Sequence, residues 1–492
     1  MADVSSALKA IQDTMRKDAG VDGDAQRIGQ LVWMFFLKIF DDREEELALL
    51  DDEYRSPMPP ALRWSAWAAD PEGITGDELL SFVNDKLFPS LKSISLDVPE
   101  RARALVVHGV FQDAINYMKS GTLLRQVINK INGIDFNNLG DRHTFGDVYE
   151  QILRDLQSAG NAGEFYTPRA LTQFMVEMLD PKLADIVFDP ACGTGGFLAC
   201  AVDHKTDLYV SGESDYEILQ SSIRGVEKKA LPHLLCTTNM MLHGIESPTN
   251  IVRGNTLSKP IKDHPLRRKV DVILTNPPFG GIEEDGIERN VPQLFQTRET
   301  ADLFLVLIIE LLKDGGRAAV VLPDGTLFGE GTKTRIKEKL LTECNLHTIV
   351  RLPNGVFNPY TGIKTNLLFF EKTGPTKEVW FYEHPYPNGY KNYSKSRPIR
   401  LEEFDAEKAW WGDATRRGRE QTPCSWKVGI QEIKARGYNL DIANPFKPDV
   451  DERSLDELTR AYDHSQRQLM NANAALLSAL QSALGEAGQT RR

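Results

Sequence analysis

After Gly160 the chain changes its period, and that change limits the possible folds more than any other feature of the sequence. Short apolar runs (Ile186–Asp189, Leu208–Glu213, Asn250–Arg253, Val270–Thr275, Arg317–Leu322, His347–Leu352 and Thr365–Glu371) alternate with segments of helical spacing such as Tyr216–Lys229, Asp302–Lys313 and Thr334–Glu343. Strands that alternate with helices predict an α/β fold with a doubly wound, mostly parallel sheet. Ligands of such sheets bind beyond the carboxyl ends of the strands. The loops after the apolar runs are therefore where chemistry is expected.

Residues 1–160 lack that alternation. Gln26–Leu50, Gly76–Leu91, Arg101–Tyr117 and Phe145–Leu156 carry apolar residues at helical spacing, which predicts a helical N-terminal domain. The alternating part, 161–450, is expected to be the catalytic domain. Beyond it, 451–492 places Leu455, Leu458, Tyr462, Leu469, Leu476 and Leu480 on one face of a C-terminal helix that ends in a polar tail. That stripe either packs on the chain's own core or meets a partner, and the flanking Pro445 and Pro448 favour the partner.

The N-terminus has no apolar signal core, and the most apolar stretch, Leu31–Phe40, is interrupted by Lys38 and too short to span a bilayer. No membrane association is expected, and a cytoplasmic protein is the default. The five cysteines are scattered without a CxxC pair, which argues for reduced thiols and against a structural metal site. No metal is expected. The net charge of −12 bears on partners, because proteins that grip a phosphate backbone unaided usually carry a basic face.

The central motif is Asp189-Pro190-Ala191-Cys192-Gly193-Thr194-Gly195-Gly196-Phe197, between an apolar run and a helical one. Glycines there let the backbone approach a ligand, and the helix start offers unpaired N–H groups. Alone, the motif is equally a tight turn. Two further positions narrow it. Glu213, at the end of the next run, is suited to the ribose hydroxyls of an adenosine-containing cofactor. Asn255, after the third, is suited to the adenine edge. The missing third glycine of Gly-x-Gly-x-x-Gly disfavours a nicotinamide cofactor.

The second motif is Thr275-Asn276-Pro277-Pro278-Phe279, after the apolar run Val270–Thr275. The exocyclic amine of adenine is a poor nucleophile because its lone pair is delocalised into the ring. An amide oxygen from Asn276 and the main-chain carbonyl of Pro277 can each accept one of its N–H bonds, which pushes the nitrogen towards tetrahedral geometry. Two prolines stiffen the loop that holds the carbonyl. Phe279 offers a face on which an extruded base can stack. The bland alternative is a strand-terminating turn.

Together these motifs resemble the Asp-Pro-x-x-Gly-Ser/Thr-Gly and Asn-Pro-Pro-Phe/Tyr signatures of amino-methyltransferases, whose sheet is Rossmann-like. The element Gly163-Glu164-Phe165-Tyr166-Thr167-Pro168-Arg169 resembles the segment that closes over the methionine end of the cofactor in N6-adenine enzymes; Thr167 and Pro168 also read as a helix cap and first turn. The chain as a whole resembles the modification subunit of type I restriction enzymes. Leu322–Phe328, Asn358–Asn366 and Tyr438-Asn439-Leu440 carry that likeness, and Ser211-Gly212-Glu213 departs from it in lacking a glycine two residues before the glutamate.

The resemblance implies methyl transfer from S-adenosyl-L-methionine to adenine N6 in DNA, with base flipping. Glu164, Phe165, Tyr166, Thr167, Pro168, Arg169, Asp189, Gly193, Thr194, Gly195, Gly196, Phe197, Glu213 and Asn255 would bind the cofactor. It also implies a DNA-reading specificity subunit flanked by two copies of this chain, and an ATP-dependent restriction subunit. No inserted recognition domain interrupts the motifs, and Gly329–Thr334 lacks the Gly-Lys-Ser/Thr ending of a phosphate-binding loop. The competing readings are an RNA or protein-glutamine methyltransferase with the same amine chemistry, and a non-catalytic scaffold.

Overall fold

The computed structural model describes residues 4–134 and 167–447 apart from 359, 360, 395 and 414, with a few isolated positions between 459 and 473. The chain divides into two compact units, Met1–Ala443 and Asn444–Arg492. In the second unit the described positions Thr459, Tyr462, Gln466, Arg467, Met470 and Asn473 are helical, and Tyr462 and Met470 are exposed. The leucines of the expected stripe lie outside the described residues, as does the expected helix Phe145–Leu156.

The first unit opens with helices, including α1 (Val4–Met15), α2 (Asp24–Leu50), α3 (Arg101–Phe111) and α4 (Gly121–Asn132). Every residue from Leu31 to Leu37 of α2 is buried, so two turns of this helix are enclosed on all sides. Neighbouring helices cover part of it. The rest is covered by α8 (Ala230–Leu242), whose Leu234, Leu235 and Leu242 belong to the same apolar core. A buried ion pair, Arg103 Nε to Glu44 Oε1 at 2.5 Å, lies beneath, and Arg103 Nη1 donates to the carbonyl of Glu246 at 3.1 Å. The core of the helical region thus takes in α8, while two further apolar clusters fill the sheet region.

The remaining helices that matter are α5 (Arg169–Leu179), α6 (Gly196–Tyr209), α7 (Glu213–Ser222), α9 (Thr300–Leu311) and α10 (Thr332–Glu343). They flank a nine-stranded sheet in the order β3-β2-β1-β4-β5-β7-β6-β8-β9. Its strands are β1 (Val187–Asp189), β2 (Ile223–Glu227), β3 (Ile251–Arg253), β4 (Val270–Thr275), β5 (Leu312–Pro323), β6 (Asn345–Arg351), β7 (Thr365–Glu371), β8 (Glu378–Glu383) and β9 (Ser425–Gly429). β1 pairs in parallel with both β2 and β4, so the winding reverses at β1. β7 runs antiparallel between β5 and β6. The doubly wound sheet is therefore as expected, with its switch point after β1.

The second strand stands elsewhere than the sequence pattern predicts. Leu208–Glu213 is not a strand: α6 continues through Leu208 to Tyr209, and Glu213 opens α7. The second strand, β2, lies inside the expected helix Tyr216–Lys229. Leu219, Ile223 and Val226 recur at helical spacing and imitate a helix face, while Arg224 and Gly225 hide the strand. Gly225 is there because of packing. A Cβ on it would meet Leu198 Cδ1 at 2.9 Å and Cys192 Sγ at 3.0 Å. β8 and β9 lie beyond the apolar runs that the sequence shows.

Candidate active site

At the switch point the tips of β1 and β4 are tied together by one carboxyl group. Asp189, the last residue of β1, is buried, and its Oδ1 accepts from Thr275 Oγ1 at 2.6 Å and from the Ala191 N–H at 3.0 Å. Burial raises its pKa to about 7; the two hydrogen bonds oppose that shift and the charge of Glu227 adds to it. Because Thr275 precedes Asn276, this bond sets the glycine loop and the Asn-Pro-Pro loop side by side.

The glycine loop turns on Gly193 (φ +53°) and Gly195 (φ +84°), both left-handed. Gly195 has a second reason to be glycine: a Cβ would stand 2.7 Å from Cys236 Sγ. The loop is braced from β2, where Glu227 accepts from the Gly193 N–H through Oε2 (2.9 Å) and from the Lys229 N–H through Oε1 (2.7 Å). The position expected of Glu213 is thus held by Glu227. Glu213 is exposed at the start of α7 and takes no part in the cavity lining. The β-branched Ile223 and Val226 ahead of the acidic residue are the available signal.

These loops wall a cleft that is partly open to solvent. Thr167, Asp189, Gly193, Thr194, Gly196, Phe197, Asn255, Asn276, Pro277 and Pro278 line it, as expected, and Glu227, Lys228, Thr256, Glu283 and Phe304 line it without having been foreseen. Asn276 is the telling residue. Its Nδ2 donates to Thr167 Oγ1 at 3.0 Å, and its Oδ1 is buried without a hydrogen-bond partner. A buried amide oxygen left without a donor is costly unless a ligand supplies one.

Other expected residues are placed differently. Thr167 is not the cap of α5: Pro168 holds that position, and the Thr167 hydroxyl serves Asn276 instead. Arg169 is paired with Asp203 at 2.7 Å. Glu164, Phe165 and Tyr166 lie outside the described residues. The Asn255 amide is engaged, its Oδ1 accepting from the Leu257 N–H (2.9 Å) and its Nδ2 donating to Glu283 Oε2 (3.2 Å). Phe279 is only 5 % exposed, sits edge-on to Phe357 with centroids 6.1 Å apart, and does not line the cleft.

The segments that carried the wider resemblance meet beyond β5. Asn366 Nδ2 donates to Asp324 Oδ1 at 2.6 Å, and the Leu440 N–H donates to the Leu327 carbonyl at 3.1 Å. All five cysteines are present as thiols. Among the described residues no group of three or more His, Cys, Asp or Glu is arranged to hold a metal, and no helix is long and apolar enough to cross a membrane.

Comparison with known proteins agrees with this geometry. The family model for N-6 DNA methylases matches residues 140–453, and the model for the HsdM N-terminal domain matches 4–131. Over 483 residues the chain is 63% identical to the methylase subunit of the type I restriction enzyme EcoEI from Escherichia coli, covering 98% of each chain. A modification subunit from Vibrio vulnificus YJ016 superposes with a TM-score of 0.81 at 44% identity, over 91% of this chain and 98% of that one. A chain solved in work on the complex assembly and conformational transition of the type I R-M system gives 0.81 at 37% identity, over 98% and 99%.

Fold and comparisons together define an adenine-specific N6 DNA methyltransferase. DNA is thereby preferred to RNA or protein glutamine as the substrate, and an enzyme to a silent scaffold. The chain belongs to the methylase, or modification, subunits of type I restriction enzymes.

Proposed function

We propose that the cleft binds S-adenosyl-L-methionine and that Asn276 and Pro277 activate the N6 amine of an adenine flipped out of the DNA duplex. The observation that carries this reading is the unpartnered, buried Oδ1 of Asn276 at the edge of a glycine-walled cleft. When bound, the cofactor supplies an electrophilic sulfonium methyl group. The residues of the chain do the rest.

Gly193 and Gly195 let the backbone close on the ligand, and Glu227, held by two N–H groups, presents a carboxylate to the ribose hydroxyls. Thr167 holds the Asn276 amide so that Oδ1 accepts one N–H of the incoming amine, while the Pro277 carbonyl accepts the other. Both acceptors strengthen their bonds as positive charge develops on nitrogen, so they favour the transition state over the ground state. The recessed position of Asn276 is why the base must leave the stack.

Phe279 is buried and meets Phe357 edge-on. In this reading it supports the loop through Phe357.

The net charge of −12 agrees with a division of labour in which a specificity subunit supplies much of the DNA grip, two copies of this chain flank it, and an ATP-dependent restriction subunit completes the complex. The separate unit Asn444–Arg492 is the segment we assign to the specificity subunit.

The test is Asn276→Ala in the assembled methyltransferase. Methyl transfer to DNA should fall roughly 100- to 1000-fold, the usual effect of removing one transition-state hydrogen-bond partner. Binding of S-adenosylhomocysteine by calorimetry should stay within a few-fold of wild type. Near-normal turnover would overturn the mechanism.

A further inference from the structure

Beyond Phe279 the catalytic loop does not leave the cleft. Gly280 (φ +64°) turns the chain back, and residues 281–283 zip against 298–300: the Thr300 N–H donates to the Gly281 carbonyl at 3.0 Å, and the Glu283 N–H to the Arg298 carbonyl at 3.0 Å. Ile282 bridges Glu299 in the same antiparallel fashion. This strap places the Glu283 side chain, 11% exposed, in the wall of the cleft.

The contacts of Glu283 are all long. Oε2 accepts from Asn255 Nδ2 at 3.2 Å and stands 3.6 Å from Lys228 Nζ, and Oε1 accepts from Thr300 Oγ1 at 3.4 Å. A carboxylate has about four acceptor sites and prefers charge-assisted partners at roughly 2.7–2.9 Å. Glu227, in the same cleft, takes its backbone donors at 2.9 and 2.7 Å. Glu283 therefore keeps acceptor capacity that the protein itself does not fill well.

Position decides which donor it suits. Asn276 and Thr167 mark one end of the cleft, beside the tip of β4. Glu227 stands at the tip of β2, and Asn255 follows β3 at the other end. Glu283 crosses from the β4 side to pair with Asn255, so it lies past the ribose-binding position, where the base of an adenosine-containing ligand ends.

We infer that Glu283 is the acceptor for the exocyclic 6-amino group of the cofactor's adenine, and that Asn255, tied to it, is a positioning residue. The inference rests on the reading of the cleft as the S-adenosylmethionine site. It makes Glu283 a specificity determinant for an amino-substituted purine. It also joins recognition of the cofactor base to the strap that continues from the Asn276 loop.

The experiment is calorimetry on the full chain with S-adenosylhomocysteine and with its 6-oxo counterpart, S-inosylhomocysteine. The wild type should prefer the amino form by roughly 10- to 100-fold, the worth of one hydrogen bond to a charged group. In Glu283→Gln that preference should shrink to a few-fold, because an amide can donate to the 6-oxo group. Equal wild-type affinity for both ligands overturns the inference without any variant being made. A preference left intact in a folded Glu283→Gln protein overturns it as well. Failure of the wild type to bind either ligand would instead sink the underlying reading of the cleft.

Discussion

Replacing Asp189 by asparagine should change how the stability of this protein depends on pH. The carboxyl group is buried at the junction of β1 and β4, and burial holds its pKa at about 7 against an ordinary 3.8. A raised acid pKa means that the folded state keeps a proton the unfolded state releases. The group's stabilising contribution is then complete below about pH 4 and is lost as pH rises through 7. At about 1.4 kcal/mol per pKa unit, the wild type should give up about 2–3 kcal/mol between pH 5 and pH 8 from this site. Asparagine does not titrate, and its amide oxygen can still accept from Thr275 and the Ala191 N–H. Urea unfolding of both proteins at pH 5 and pH 8 isolates the difference. The variant should gain on the wild type by about 2–3 kcal/mol across that interval. A constant gap at the two pH values would refute the argument, since it would mean that Asp189 does not titrate between them.

Glu227→Ala should weaken binding of S-adenosylhomocysteine about 10-fold or more, and Glu213→Ala should leave it unchanged; calorimetry giving the reverse pattern would restore the residue the sequence suggested. Gly195→Val forces a side chain into Cys236 at a left-handed backbone position, so it should cost about 1–3 kcal/mol in unfolding experiments and remove ligand binding. Phe279→Ala should destabilise the fold by about 3–5 kcal/mol, as loss of a buried aromatic does. An unfolding midpoint equal to wild type, with weakened capture of the target adenine, would favour a stacking role instead.

The sequence by itself determined the alternation of strands with helices and the two motifs. Val270–Thr275 and Thr365–Glu371 are delimited correctly because each is built on a compact apolar run, Val272–Leu274 and Leu367–Phe370, bounded by polar residues. The glycine loop and the Asn-Pro-Pro loop were legible because their residue types are demanded locally, by left-handed backbone in one case and by a rigid carbonyl in the other. What failed was the second strand. Its side chains are polar or absent where neighbours from α6 and the glycine loop press on it, so local periodicity pointed to a helix and the acidic residue was assigned to Glu213.

Only the tertiary structure decided the contacts between segments far apart in the chain. Thr167 was legible as a helix start and proved to hold Asn276, a partner 109 residues away. Phe279 was legible as an aromatic beside a reactive amide, but whether its ring faces a cleft or a core depends on Phe357. Glu283 carried no motif at all. It reaches the cleft because Gly280 folds the chain back and 298–300 holds it there. Local chemistry writes the loops that bind and react. The side chains that orient them come from distant elements, and only packing brings those together.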